Sequence, residues 1–486
     1  MRRRIGSLLL ALVLVLTSSV MAVFAAQPDR TYTYEEDKPV PATNAYQVKI
    51  IVDESVTGTT AMKNPRDIFV DSEDRIFVLD AGNSRVLVLD KTYRCIKEIS
   101  QFNYKGETLT LSNGAQGLFF RDANQMLYIA DTDNDRILVS DLGGNVSQVY
   151  TKPEGELLDP TLAYNPRKII VDNMGIMYVT SGNVNTGALM VDSANNFLGF
   201  YGTNKMQMTA AMQVEYMWRK ILSSEANKLS GVTFQPVEFN NLFWSDDRFV
   251  YTVSPLSDST ATSVSKLNAL GNNVFTQNID LYTLNKARKI SGMVLSDITV
   301  DNEGAITISD ITTGHLYQYD ENCNLMSVFG GMGYQKGLFT QPVSIESDSA
   351  NNLLVLDASK NTVTVMEQTF YGKMVRSANY LYGQGRYQES IEPWMEVLRM
   401  NANYTQAYTG LGKAYISLGE YEEAMKYFEL GKDKEGYAEA KAALRDETIR
   451  ENFAVVVAIV VIALIFILFY EKIFDIIATI YWRIRK

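Results

Sequence analysis

The chain has 486 residues, 46% of them hydrophobic and 11% aromatic, which is enough for two or more domains with sizeable cores. Its formal net charge of -11 disfavours nucleic acid as a partner. The single histidine, His315, excludes multi-histidine zinc sites, and two cysteines, Cys95 and Cys323, are too few for a disulfide framework.

Residues 1–26 have the pattern of a secretory signal peptide. Arginines at positions 2 to 4 precede an apolar core, and small residues end near Ala26. An uncleaved N-terminal membrane anchor is the alternative. A linker is expected over residues 27–45, before the first repeat begins.

Residues 46–369 contain six repeat units, each built from short apolar strands. A unit opens with a strand such as "RDIFVD", turns through Asp, Asn or Gly, and continues into a second strand such as "RIFVLD". These second strands end at Asp80, Asp131, Ser181, Ser254, Asp310 and Asp357. Four short strands per unit predict the blades of a propeller. The segment 46–54 precedes blade 1 and is expected to be the fourth strand of blade 6, which would close the ring.

The repeat region resembles a known family. The segments "NPRDIFVDSEDRIFVLDAGNSRVLVLD" and "GLFFRDANQMLYIADTDNDRILVSDLGG" are similar to NHL repeats, and the match is strong in blades 1, 2, 5 and 6. Blades 3 and 4 depart from it, since Ser181 and Ser254 replace Asp and no Arg follows five residues later. The resemblance implies an all-β, six-bladed propeller.

Short hydrogen-bond acceptors end all six second strands, and in blades 1 and 2 an Arg follows five residues later. Such acceptors can cap the backbone amides of a turn. Because catalysis usually needs an asymmetric set of groups, we interpret this recurring set as structural: Asp80, Arg85, Asp131, Arg136, Asp310 and Asp357. His315 takes the place of the Arg in blade 5 and is interpreted as a turn residue.

The link between blades 3 and 4, residues 203–236, is expected to be a helical insertion rich in Met and aromatic residues. Met212, Tyr216 and Trp218 are candidates for an adaptable binding surface. Packing of the apolar side of the insertion on the propeller is the alternative.

Two "NPR" motifs open blades 1 and 3. Their arginines, Arg66 and Arg167, are expected near the same mouth of the propeller as the insertion, where two cations could bind a carboxylate or phosphate. Salt bridges to carboxylates at the rim are the alternative.

Residues 370–451 are predicted to be helical. Two segments align at an offset of 34 residues, which places Gly385 with Gly419 and Trp394 with Phe428. This pattern resembles tetratricopeptide repeats, in which small residues allow helices to approach and aromatic residues fill the angle between them. Tyr408 and Tyr415 are candidates for a binding groove. Whether so short an array binds a peptide or acts as a spacer stays open.

Residues 453–470 are 18 residues without a charge, which at about 1.5 Å per residue can cross a bilayer as one helix. The tail, 471–486, is basic and carries isoleucines at helical spacing. It is expected to stay cytoplasmic and to lie along the inner leaflet. Everything between the signal peptide and this helix would then be extracytoplasmic at the cell membrane.

The predicted order is signal peptide, propeller, helical repeats and membrane helix. It resembles exported Gram-positive bacterial proteins, which are often associated with carbohydrate transport. This resemblance implies a membrane-anchored binding or scaffold protein for a protein or small-molecule ligand, with carbohydrate as one candidate.

The alternative function is a hydrolase or lyase similar to gluconolactonases, with a divalent metal in the central channel. The sequence shows no nucleophile and base pair and no metal-ligand motif. We therefore predict no catalytic residue and no cofactor, and favour the binding role over the enzyme.

Overall fold

The computed structural model describes residues 31–485 apart from 36–37, 156–157, 183, 203–237, 246, 255–262, 276–278, 280 and 282–292. The predicted signal peptide and the insertion with Met212, Tyr216 and Trp218 therefore lie outside the described residues. The chain divides into two compact units, with the boundary in sequence after Gly383.

The first unit is built almost entirely of antiparallel strands. It opens with β1 Thr31–Glu35, β2 Lys38–Ala42, β3 Tyr46–Val52 and the short helix α1 Glu54–Thr57. Blade 1 holds β4 Asp67–Val70, β5 Ile76–Asp80, β6 Arg85–Leu89 and β7 Cys95–Ile99. A hairpin of β8 Phe102–Tyr104 and β9 Glu107–Leu109 leads to blade 2, which holds β10 Gly117–Arg121, β11 Met126–Asp131, β12 Arg136–Ser140 and β13 Val146–Tyr150.

The remaining blades repeat this arrangement. Blade 3 holds β14 Pro166–Val171, β15 Met177–Ser181, β16 Ala188–Val191 and β17 Phe197–Tyr201. Blade 4 holds β18 Asn241–Trp244, β19 Val250–Val253 and β20 Val264–Leu267, and blade 5 holds β21 Leu295–Val300, β22 Ile306–Asp310, β23 His315–Tyr319 and β24 Leu325–Gly330. Blade 6 holds β25 Pro342–Ser347, β26 Leu353–Asp357 and β27 Thr362–Gln368. Strands pair in chain order within each blade, which confirms the predicted six-bladed propeller.

The ring closes through the N-terminal strand β3. It pairs antiparallel with β27, so that Tyr46 lies opposite Gln368 and Val52 lies opposite Val363. Blade 6 therefore takes its fourth strand from the opposite end of the propeller sequence, as predicted. This pairing covers the edge of β27 that an open ring would expose and makes β3 the outermost strand of blade 6.

Part of the segment predicted as a linker pairs with blade 5 instead. β1 and β2 form a hairpin, and β1 lies beside β24, so the sheet of blade 5 has six strands. Pro39 and Pro41 both fall in β2. This strand is the outermost of the sheet, where a missing backbone N–H removes no bond to a further strand.

One turn recurs at the hairpins that join first to second and third to fourth strands. In Asp71, the Oδ1 atom accepts hydrogen bonds from the backbone amides of Glu73 at 3.0 Å and Arg75 at 2.8 Å. The same two bonds, accepted from the backbone amides two and four residues later in the chain, recur at seven other aspartates: Asp90, Asp141, Asp172, Asp192, Asp301, Asp320 and Asp348. The residue three positions after each of these aspartates has a positive φ, for example 60° at Asp74 and 84° at Gly144. A single side-chain device thus sets the hairpin geometry around the ring.

A helix that follows β27 directly, α2 Phe370–Gly383, belongs to the first unit. Its Arg376 is 3% exposed and pairs with Asp301 at 2.5 Å and with Glu303 at 2.8 Å, both in blade 5. The guanidinium also lies 3.4 Å from the hydroxyl of Tyr46 in the closing strand. α2 is therefore bound to blade 5 and to the point where the ring closes.

The second unit is helical. It consists of α3 Tyr387–Met400, α4 Thr405–Leu418, α5 Tyr421–Leu430, α6 Lys434–Glu451 and α7 Phe453–Ile484. Successive helices from α3 to α6 pack against each other through aromatic residues and glycines. A Cβ atom at Gly412 would lie 2.7 Å from the ring of Phe428, and one at Gly436 would lie 2.3 Å from it. Only glycine allows both helices to approach this ring so closely.

The last helix, α7, is 32 residues long, and its most apolar 18-residue window has a mean hydropathy of 3.3. None of it is buried. By length and composition it can cross a membrane, and it is the one helix among the described residues that can. It continues beyond residue 470 through the predicted amphipathic tail without a break.

Candidate functional site

The first strands of the six blades line the axis of the propeller. One position is equivalent in all six first strands. The residue at this position lies opposite the one just before Asp80, or just before the counterpart of Asp80 in each blade. The six residues at this position, which we call the axial belt, are Asp67, Gly117, Lys168, Asn241, Asp297 and Ser344. The five with polar side chains are all buried. The axis is therefore filled by polar groups that must satisfy one another.

The axial belt joins neighbouring blades by hydrogen bonds. Asp67 Oδ2 accepts from the amide of Leu118 in blade 2 at 2.8 Å, and Asp297 Oδ2 accepts from the amide of Ile345 in blade 6 at 2.8 Å. The Ser344 hydroxyl lies 2.8 Å from Asp67 Oδ1 and 2.6 Å from Asp297 Oδ2. These bonds satisfy amides on the free edges of the innermost strands.

An ion pair crosses the belt between blades 1 and 3. The Lys168 ammonium pairs with Asp67, although Gly117 of blade 2 lies between them in the order of the ring. A Cβ atom at Gly117 would lie 2.2 Å from the carbonyl oxygen of Arg167, so glycine allows blade 3 to come close. Burial opposes the charge of Lys168, but attraction to Asp67 and Asp297 outweighs it and raises the pKa of the ammonium.

A second ring lies two residues further along each first strand. It consists of Phe69, Phe119, Ile170, Phe243, Thr299 and Glu346. Blades 1 to 4 therefore contribute apolar side chains, and blades 5 and 6 contribute polar ones. Phe69 and Phe119 meet edge to face at 5.1 Å, whereas Glu346 accepts a hydrogen bond from the Thr299 hydroxyl at 3.3 Å.

Residues of the axial belt and the second ring line a partly open cavity of about 40 Å³, which has room for a few water molecules. Its lining includes Asp67, Phe69, Phe119, Lys168, Phe243, Trp244, Asp297 and Glu346. Sites for drug-sized ligands are roughly 300–1,000 Å³, so this cavity suits only a small group.

Two carboxyl groups of the cavity, those of Asp297 and Glu346, have raised pKa values. Burial raises the pKa of Asp297 to about 6, with Lys168 opposing the shift and Asp67 adding to it. Burial, together with repulsion from Asp297 and Asp67, raises the pKa of Glu346 well above its usual range. The contacts of Ser344 agree with this, because one hydroxyl proton cannot serve two carboxylates. A proton on Asp297 would complete the second bond.

The raised pKa of Asp297 predicts a stability that falls as pH rises. The folded protein holds this proton more tightly than the unfolded chain, so the free energy of unfolding falls as the pH rises from about 4 to about 6. Across that window the wild type should lose about 3 kcal/mol relative to the Asp297→Asn variant, which cannot titrate. Urea unfolding of both proteins at several pH values measures the difference. Parallel pH profiles would contradict the assignment.

The structure places Arg66 and Arg167 next to two residues of the belt, Asp67 and Lys168, at the same end of the channel. Arg167 Nη1 pairs with Glu238 at 3.1 Å. The Nε atom of Arg66 is buried and has no hydrogen-bond partner among the described residues. One of the two cations is thus engaged by a carboxylate, as the salt-bridge alternative expects.

In several blades the acceptor that ends the second strand makes a hydrogen bond to the link that enters the blade. Asp80 Oδ1 accepts from the amide of Lys63 at 2.7 Å, and its Oδ2 accepts from Arg85 Nε at 2.7 Å. Asp131 makes the equivalent bonds to Ser112 and Arg136, each at 2.8 Å.

The remaining turn residues make related contacts. Asp357 accepts from the amide of Thr340 at 2.7 Å, and Asp310 accepts from the amide of Thr312 at 2.8 Å. The amide of His315 donates to a threonine hydroxyl in the same turn. In blades 1, 2 and 6 these contacts join the entering link to the strand end. In blades 1 and 2 the predicted capping of the following turn is not seen, because neither Asp80 nor Asp131 makes a side-chain bond to its backbone amides.

The two equivalent ion pairs differ in burial, which yields a matched prediction. Asp80→Asn should lower the free energy of unfolding by about 2 kcal/mol, because Arg85 is 4% exposed and would keep only the half-exposed Glu98, at 3.2 Å, as a charged partner. Asp131→Asn should cost less, because Arg136 is 18% exposed and water can solvate it. Chemical unfolding of both variants measures the order. A larger loss for Asp131→Asn would contradict this explanation.

The tyrosines proposed for a groove lie in the second unit. Tyr415 stacks on Tyr427 at 5.4 Å with nearly parallel rings, and the Tyr408 hydroxyl donates to the carbonyl oxygen of Ala402 at 3.0 Å. The two cysteines are free thiols, with Cys95 in β7 and Cys323 in the turn before β24.

Sequence reasoning missed the axial belt and the buried ion pairs of Arg376. The signal for the belt was present, since aligning the first strands of the six units places Asp67, Lys168 and Asp297 in one column. A column of charged residues among apolar strands indicates a shared buried surface.

Comparison with known proteins shows no family for this chain. No protein-family profile and no curated protein sequence matches the chain. The chain is similar to the structure of virginiamycin B lyase from Staphylococcus aureus, with 11% identity and a TM-score of 0.36, over 64% of this chain and 85% of that one. A streptogramin B lyase is 8% identical with a TM-score of 0.39, over 66% and 97%. The WD40 β-propeller domain of Doa1 is 11% identical with a TM-score of 0.39, over 67% and 98%.

Proposed function

We propose that the chain is a membrane-anchored extracytoplasmic binding protein. In this proposal the propeller binds the ligand, the helices from α3 to α6 act as a spacer or a second interaction surface, and α7 crosses the membrane. The resemblance to NHL and tetratricopeptide repeats, the signal-like N-terminus and the basic C-terminal residues support this arrangement.

The observation that carries the proposal is the lining of the axial cavity. Asp67 pairs with Lys168, Asp67 and Asp297 accept from backbone amides, and the adjacent Ser344, whose hydroxyl lies 2.6 Å from Asp297, is fully buried. A nucleophile needs access to its substrate, and this hydroxyl has none. Such a lining suits binding of a small group. A sugar ring exceeds the volume of the cavity, so a carbohydrate would bind outside it.

The anchor is tested by fractionation of cells that express the full chain. Carbonate-washed membranes should retain the protein, and a stop codon after Asn452 should release it. Protease added to intact spheroplasts should digest the propeller and leave a tag placed after Lys486 intact. A protected propeller would contradict the proposed orientation.

A single panel of candidate ligands distinguishes a binding protein from an enzyme. Each compound is tested for an increase in melting temperature, and the same mixtures are then examined by mass spectrometry. A compound that raises the melting temperature and returns unchanged supports a binding role. A compound that is consumed would favour the hydrolase or lyase.

A further inference from the structure

The axial cavity contains more negative than positive groups. Asp67, Asp297 and Glu346 face it, and Lys168 is the one cation in its lining. Lys168 already pairs with Asp67. Buried charge without a partner is costly, so the remaining carboxyl groups must hold protons or a bound cation.

The carboxyl groups differ in how many bonds they already make. Asp67 accepts from Leu118, Lys168 and Ser344. Asp297 accepts from the amides of Ile298 and Ile345 and lies 2.6 Å from the Ser344 hydroxyl. Glu346 receives from another side chain only the 3.3 Å bond of the Thr299 hydroxyl, within the described residues. Since an ionised carboxylate can accept about four hydrogen bonds, Glu346 has the most capacity for a ligand.

Aromatic side chains line the same cavity as this carboxyl group. Phe69, Phe119, Phe243 and Trp244 come from blades 1, 2 and 4, whereas Glu346 comes from blade 6. Aromatic faces attract cations through their quadrupoles, most strongly in a desolvated site. Aromatic side chains together with one carboxylate are the groups that an ammonium ion binds to.

A metal ion fits these groups less well. Calcium takes six to eight oxygen ligands, and magnesium demands octahedral oxygen coordination. Across the described residues no group of three or more His, Cys, Asp or Glu side chains is arranged to hold a metal. An organic ammonium needs fewer oxygen partners and gains from the aromatic wall.

We propose that the axial cavity binds a small organic ammonium group, with Glu346 as its counter-ion and the aromatic side chains of the second ring around its methyl or methylene groups. The cavity volume of about 40 Å³ limits the buried part to a few heavy atoms. The group is either a free amine or the end of a lysine side chain on a peptide partner. This inference rests on the proposed binding role of the propeller and specifies its ligand class.

The test uses the full chain in detergent and titrates methylammonium chloride against sodium and potassium chloride at matched ionic strength. At pH 8, methylammonium should raise the melting temperature in a saturable way, and the alkali cations should not. A peptide with one central lysine distinguishes the two sources, because tighter binding of the peptide than of methylammonium indicates a protein partner.

Variants assign the binding to the cavity. Glu346→Gln should weaken methylammonium binding at least tenfold, and Phe243→Leu, which keeps apolar volume but removes the ring, should weaken it severalfold. Glu73→Gln is the control, since Glu73 is 69% exposed on a hairpin, and it should bind as the wild type does. Affinity should fall from pH 8 to pH 6, because protons compete for Glu346 beside Asp67, Lys168 and Asp297.

Three outcomes would overturn the proposal: no saturable effect of any ammonium on the folded protein, equal effects of sodium or potassium, or binding unchanged in Glu346→Gln. The melting temperature of each variant without ligand shows that it is folded. Failure here would leave the membrane fractionation and the wider ligand panel unaffected, so the two proposals can be judged separately.

Discussion

Replacing Arg376 by Met should lower the free energy of unfolding of the propeller by about 3–5 kcal/mol. The guanidinium is the cation that Asp301 and Glu303 share, and the Asp301 side chain is 1% exposed. Without Arg376 the Asp301 carboxylate would be buried and uncompensated, and α2 would lose its bonds to blade 5. Urea unfolding followed by circular dichroism measures the loss.

Arg386→Met is the matched control. Arg386 pairs with Glu389, but both side chains are more than half exposed, so its loss should cost about 1 kcal/mol or less. The double variant Arg376→Met with Asp301→Asn should recover part of the stability, because it removes the unpaired charge. Equal losses for Arg376→Met and Arg386→Met would show that burial of the first pair has no energetic role.

Replacing Phe428 by Ala should destabilise the second unit by about 3–5 kcal/mol. This fully buried ring fills the space between α4 and α6, where Gly412 and Gly436 face it. Removing it leaves a cavity, because other contacts prevent α4 and α6 from moving together to fill the space. Thermal unfolding of the helical signal is the measurement, and Leu430→Ala, at a residue 54% exposed, should have little effect.

A double-mutant cycle tests whether the ring and the glycine act together. Gly436→Ala alone should destabilise, because its new methyl group would lie 2.3 Å from the Phe428 ring. In the Phe428→Ala background the same substitution should be nearly neutral or stabilising. Additive effects would contradict the contact.

The propeller was predictable because its determinants are local and repeat along the chain. Each blade shows its own strands and turns, and the closing role of β3 follows from the missing fourth strand of blade 6. That the strands turn through Asp, Asn or Gly was predicted, but the bonds of hairpin aspartates such as Asp141 and Asp348 were not. The pairing of β1 with β24 was not, because "TYTYE" indicates a strand without indicating which edge it joins.

The axial site was less predictable, for a geometric reason. Asp67, Lys168 and Asp297 lie on three blades and meet only when the ring is complete. An alignment of the blades can show that these three residues occupy equivalent positions along the propeller axis. It cannot show that Lys168 passes the position of Gly117 to reach Asp67, because that depends on how closely blade 3 approaches. Arg376 was hidden in the same way, since its sequence context is that of a repeat helix.

The pairing of β3 with β27 has a consequence for the order of folding. During synthesis Tyr46 emerges long before its partner Gln368, so the native sheet of blade 6 cannot form until the whole propeller has been made. Loop closure over so long a separation is slow, and until it occurs β3 lacks its partner strand β27. A chain that stops before Thr362 lacks β27, so β3 has no strand to pair with. Completion of the ring therefore distinguishes full-length molecules from truncated ones, and unpaired β3 is the segment that chaperones or proteases would meet first.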